Sequence, residues 1–242
     1  GIGGGGGGAR GGDGFGGWGG LVGHGQGGGC ILAGSLARNR AASPMHRGDA
    51  MADREEPFEL ETLAAERSLL LVVDVQTRLA PSVEGHQDVF GRCLALAEGA
   101  RELGVPIVAT EHCPEAIGST LPLLMQVVNP SQIVAKRHFS AMDEAALPEV
   151  LGRAGRTQVV VAGMEAHICV LQTALGIAAA GYDCRVAVDA VGSRHGEDKQ
   201  VALERLRQAG IGLVTAEMVL FEWMVHADHP AFRTIISRIK SL

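Results

Sequence analysis

The stretch from Val159 to Val170 constrains this chain more than any other. Val159-Val160-Val161-Ala162 is an unbroken apolar run closed by Gly163, which reads as a buried strand. From Ile168 to Ala180 the composition and length suit a helix, and Gly181 is placed to end it. Cys169 is thereby predicted in the first turn of a helix that follows a buried strand. Unpaired backbone N–H groups and the helix dipole favour a thiolate there, and any developing oxyanion. A cysteine in such a run is ordinarily a small core hydrophobe, so the reading depends on what other strand ends bring.

From Ser68 onward strand and helix patterns alternate. Leu69-Leu70-Leu71-Val72-Val73-Asp74 is a continuous apolar run ending in a carboxylate, and His86 to Leu103 places Val89, Cys93, Leu96 and Ala100 on one helical face. Pro106–Thr110 and Gln132–Lys136 are the second and third strands. Residues 143–153 are helical, with Pro148 starting the second half of the stretch. Val159–Ala162 is the fourth strand, Cys184–Asp189 the fifth and Gly212–Thr215 the sixth, with a helix over Glu197–Ala209 between the last two. Phe232, Ile235, Ile236 and Ile239 stripe a final helix. Apolar strands alternating with helices predict an α/β fold, a parallel sheet covered on both faces.

Composition divides the chain at residue 51. Of 35 glycines, 21 lie in residues 1–50, which read as a low-complexity extension: either disordered, or upstream sequence translated from a misplaced start. Met51-Ala52-Asp53-Arg54 resembles a natural beginning, and residues 51–242 suit one domain. Gly23-His24-Gly25-Gln26-Gly27-Gly28 matches a dinucleotide-binding pattern but lacks the flanking strand and helix. Residues 1–50 carry four Arg and two Asp, so the net charge of −6 leaves −8 for the remainder. An acidic domain without a basic run argues against a nucleic-acid partner. The five cysteines form no CxxC pair, and no apolar run is long enough to cross a bilayer. A reduced, cytoplasmic protein without a membrane partner is expected.

Sites on a parallel sheet lie outside the carboxyl ends of its strands. Asp74 ends the first strand, Lys136 ends the third, and Cys169 follows the fourth across a short turn. Singly, each has an ordinary explanation: a helix-capping Asp, a solvated Lys, a core Cys. Together they supply a base, a cation and a nucleophile on one edge. Lys136 and the helix end are expected to lower the thiol pKa to roughly 4–7.5.

Val72-Val73-Asp74-Val75-Gln76, Lys136-Arg137-His138-Phe139-Ser140 and Gly163-Met164-Glu165-Ala166-His167-Ile168-Cys169-Val170 resemble the three signature blocks of the isochorismatase-like cysteine hydrolases. Thr110-Glu111-His112-Cys113-Pro114, with Gly118-Ser119-Thr120, looks closest to the branch called isochorismatase domain-containing proteins. The resemblance implies a three-layer α/β/α, Rossmann-like fold with six parallel strands in the order 3-2-1-4-5-6. It makes Asp74 the base, Lys136 the activating cation and Cys169 the nucleophile. It also implies a cis Met164–Glu165 peptide and an oxyanion hole formed by the N–H groups of Glu165 and Cys169. Gln76, Glu111, His138 and Phe139 become candidates for the substrate-pocket wall. His167, too close to Cys169 to pair with it on a tight turn, takes a backbone or wall role. Trp223 is core or subunit contact.

Two departures refine the expectation. Nicotinamidases of this superfamily carry an Asp-x-His metal site after the second strand, where this chain reads Thr110-Glu111-His112-Cys113; three consecutive side chains seldom converge on one ion, so no metal and no cofactor is expected. True isochorismatases lack the nucleophilic cysteine, so Cys169 points to attack at a carbonyl. The expected function is hydrolysis of a small amide, imide or related acyl compound through a thioester, by a homo-oligomer. The alternative is a catalytically silent member acting as a partner-binding module. A nucleotide-binding Rossmann protein is disfavoured, because the turn after Asp74 has no glycine to admit a pyrophosphate.

Overall fold

Apolar runs without polar interruption must be covered on both faces, and the computed structural model of the protein, which describes residues 61–240, shows that cover. The expectations for residues 1–50 and for a start at Met51 fall outside the described residues. Strands β1 (Ser68–Val73) and β4 (Gln158–Met164) are buried along their whole lengths. With β2 (Ile107–His112), β3 (Ile133–Lys136), β5 (Asp183–Gly192) and β6 (Gly212–Val214) they make one six-stranded sheet. All its pairs are parallel and its order is β3-β2-β1-β4-β5-β6, as the resemblance implied.

The helices are α1 (His86–Glu102), α2 (Pro114–Ile117), α3 (Pro122–Met125), α4 (Ala146–Ala154), α5 (Leu171–Ala179), α6 (Gly196–Gln208), α7 (Ala216–Met224) and α8 (Phe232–Ile239). Strand alternation sends Leu70 and Val72 to one face, where they meet Cys93 and Leu96 of α1 and Leu220 and Trp223 of α7. Leu69, Leu71 and Val73 face the other way, towards Leu147 of α4, Ile177 of α5 and Leu206 of α6. Trp223 belongs to the core, its Nε1 donating to Ser68 Oγ at 2.8 Å. No helix among the described residues is long and apolar enough to cross a membrane.

Several boundaries differ from expectation, β5 for one running three residues past Asp189 to Gly192. Residues Ala141–Asp143 form a separate 3-10 turn, and Pro148 is the third residue of α4 rather than the start of a half-helix. In that first turn a missing N–H leaves no intrahelical bond unmade. Strand β1 stops at Val73, because Asp74 turns into the left-handed region with φ of 51°. Strand order reverses between β1 and β4, so the carboxyl ends of these two neighbours open the crevice where a site is expected.

Candidate active site

Asp74, one residue past β1, has a wholly buried side chain, as does Lys136 at the end of β3; Lys136 Nζ lies 2.8 Å from Asp74 Oδ2. The same ammonium donates to the main-chain carbonyls of His138 and Phe139, each at 3.2 Å. Two of its protons thus have carbonyl acceptors, and its charge faces the Asp74 carboxylate, as a buried ammonium requires. The contact with Asp74 is an ion pair without the alignment of a hydrogen bond, so Oδ2 keeps a lone pair unused. Asp74 Oδ1 accepts the hydroxyl of Thr110 at 2.7 Å.

The third member arrives from β4. Met164–Glu165 is a cis peptide, as the resemblance implied. Cys169 lies not in the first turn of an α-helix but in a π-helical turn, Ala166–Val170, that precedes α5. The Val170 N–H donates five residues back, to the Glu165 carbonyl at 3.1 Å, and such turns recur at functional sites. The Cys169 thiol comes within hydrogen-bonding reach of both Asp74 and Lys136. Its expected low pKa is not found. Burial first, then the Asp74 charge, push the thiol up to about 12, and Lys136 only partly opposes them. The expectation counted the cation and the helix end but not the desolvation of a cysteine only 5% exposed.

The wall candidates divide. Gln76 is fully buried and its amide is committed to main chain: Nε2 donates to the carbonyls of His112 and Gly118, and Oε1 accepts the His112 N–H at 2.8 Å. Glu111 Oε1 takes the N–H and hydroxyl of Thr120, at 2.6 and 2.8 Å. Phe139 is half exposed and stacks on His112, ring centroids 5.4 Å apart. His138 turns its Nδ1 to Glu144 Oε1 at 2.8 Å and lines an open depression of about 370 Å³ with Cys113 and Arg137. His167 places its Nδ1 2.9 Å from Ser193 Oγ.

Two side chains with no role in the sequence reading belong to this neighbourhood. Thr110 grips Asp74, and the signal for it was a hydroxyl ending an apolar strand beside a strand that ends in Asp. The Glu165 side chain, 4% exposed, holds Arg194: Oε2 accepts the Arg194 N–H at 3.2 Å and Oε1 pairs with Nε at 3.1 Å. Nothing local in the sequence signals that pairing, which spans 29 residues.

The isochorismatase domain pattern matches residues 68–218. The chain belongs to the isochorismatase family. Isochorismatase domain-containing protein 1 of Danio rerio is 35% identical over 184 residues, 75% of this chain and 64% of that relative, so the chain spans less than two thirds of the relative's length. A family structure described as a MAR1 ribonuclease from Caenorhabditis elegans aligns at 30% identity and a TM-score of 0.69, covering 74% of this chain and 93% of that one. The YcaC gene product of Escherichia coli, described as an octameric hydrolase of unknown specificity, shares the fold at 23% identity and a TM-score of 0.67, over 74% and 97% of the two chains.

Proposed function

We propose that this isochorismatase-like protein hydrolyses a small amide, imide or related acyl compound through a thioester on Cys169. The observation that carries the reading is the buried Asp74–Lys136 pair with the Cys169 thiol in reach of both. Asp74 Oδ2, with its unused lone pair, takes the thiol proton as sulfur attacks the carbonyl carbon. The carbonyl electron pair moves onto oxygen, where the backbone N–H groups of Glu165 and Cys169 are the assigned donors. When the C–N bond breaks, the amine leaves with the proton from Asp74. Water then gives a proton to Asp74 and attacks the thioester, and the departing sulfur recovers that proton. The Lys136 ammonium faces the Asp74 carboxylate and offsets its charge.

Phe139, Glu111 and His138 are assigned to the substrate wall. Gln76 supports that wall indirectly, through the main chain of His112 and Gly118. The four free cysteines among the described residues support a reducing, cytoplasmic setting. A homo-oligomer is proposed because the E. coli structural neighbour is described as octameric and because Met218 and Phe221 of α7, with Val225 just after it, are 46%, 39% and 80% exposed.

The test is intact-mass detection of an acyl adduct during a screen of small amides and imides. An adduct that appears in the parent chain and is absent from Cys169→Ala supports the thioester. Turnover that survives Cys169→Ala overturns it. The C. elegans relative is described as a ribonuclease; the −8 balance of residues 51–242 does not favour RNA, and an RNA arm of the same screen should show no Cys169-dependent cleavage. A chain that forms no adduct and turns over nothing, yet retains a specific protein partner, would establish the interaction-module alternative.

A further inference from the structure

Thr110 is fully buried in β2 and pairs with Val73 in the β1–β2 register, which brings its side chain beside Asp74. Its Oγ1 donates to Asp74 Oδ1 at 2.7 Å and accepts the N–H of Asp74 at 3.3 Å; its carbonyl takes the same N–H at 3.1 Å. One residue therefore holds both the carboxylate and the backbone of an aspartate whose φ of 51° departs from the strand. β-Branching restricts χ1, so the hydroxyl is aimed without much rotamer freedom.

We propose that Thr110 is a positioning residue that decides which oxygen of Asp74 receives the Cys169 proton, and how acid the solution can become before that oxygen is lost. The inference rests on Asp74 acting as the base in the proposed hydrolysis. With Oδ1 engaged by the hydroxyl, Oδ2 is the oxygen without a hydrogen-bond donor. The charged and titratable groups that face it are Lys136 Nζ, from β3, and the Cys169 thiol, from the π turn. A hydroxyl that donates to a carboxylate favours the ionised form. Thr110 is the neutral member of the set, so it can be replaced by isosteric Val without changing the charge of the site.

The reporter is alkylation of Cys169 by iodoacetamide in the full chain, followed by intact mass from acid to neutral pH, with a thermal melt of each variant. In the parent chain the rate should hold a plateau through neutral pH, because the thiol proton passes internally to Asp74. It should fall where Asp74 instead takes a proton from solvent. Thr110→Val should move that fall to higher pH by roughly one unit, about a tenfold slower rate on the limb. Thr110→Ser, which keeps the hydroxyl, should restore the parent limb. Thr110→Ala repeats the test should Val crowd β1. Asp74→Asn should replace the plateau with a rate that keeps falling as acidity rises. If Asp74→Asn loses the plateau but Thr110→Val and Thr110→Ala keep the parent limb, the role of Thr110 is overturned while the base assignment survives. If Asp74→Asn keeps the plateau, both are overturned.

Discussion

The chemistry of single side chains turns on where the proton of Cys169 resides. Three cysteines, Cys93, Cys169 and Cys184, are each pushed up to about 12, with burial as the largest cause. Cys169 differs from the other two in having a cation beside it, and Lys136 pulls against the burial. The sulfur thus rests as a thiol at neutral pH, and in the proposed mechanism it becomes nucleophilic as Asp74 accepts its proton. Lys136→Ala removes the one lowering influence, so the thiol ionises at still higher pH. Alkylation of Cys169 at neutral pH should slow by about tenfold or more, while Cys113, a partly exposed thiol on the β2–α2 junction, keeps its rate. An unchanged Cys169 rate in that variant would remove Lys136 from the mechanism.

At the level of elements, the site is held by close strand pairing and by a braced loop. Gly163 of β4 pairs with Val73 of β1 and has φ of 123°, and a Cβ there would enter the carbonyl of Val73. Main chain cannot yield as a flexible side chain can, and L residues rarely adopt that φ. Gly163→Ala should therefore cost about 3 kcal/mol or more, read as a lower urea midpoint with an unchanged slope. A cost near zero would mean that the β1–β4 pairing, and the placement of Asp74 by it, is not tight.

The loop after β3 depends on Glu144, whose Oε1 accepts the N–H of Arg137 at 2.7 Å, the N–H of His138 at 3.0 Å and the ring of His138 at 2.8 Å. The two backbone donors, His138 first, lower the Glu144 pKa from 4.5 to about 2. A lowered folded-state pKa makes this brace fully present above about 4.5 and lost as pH falls through about 2. Glu144→Gln should speed hydrogen exchange at Arg137 and His138 at neutral pH, and loosen the loop whose carbonyls hold Lys136. Exchange that matches the parent chain at neutral pH would show that the loop holds without the carboxylate.

For the whole molecule, the open question is how many copies assemble. The proposed homo-oligomer should scatter light as a multiple of the chain mass at micromolar concentration, and a species of one chain's mass would refute it. Much of the rest was legible in the sequence, because it follows from local pattern. Six apolar runs alternating with helical faces can bury themselves only as a doubly covered parallel sheet. Asp74, Lys136 and Cys169 stand out because each sits where such a run ends. The resemblance supplied the strand order and the cis peptide. Tertiary structure alone decided the π turn at Cys169, the buried Glu165–Arg194 pair and the Thr110 grip on Asp74. It also decided that the thiol pKa rises. Hydrophobic period is carried by neighbouring residues along the chain, whereas desolvation and a hydroxyl's aim depend on groups from distant strands that meet only when the sheet closes.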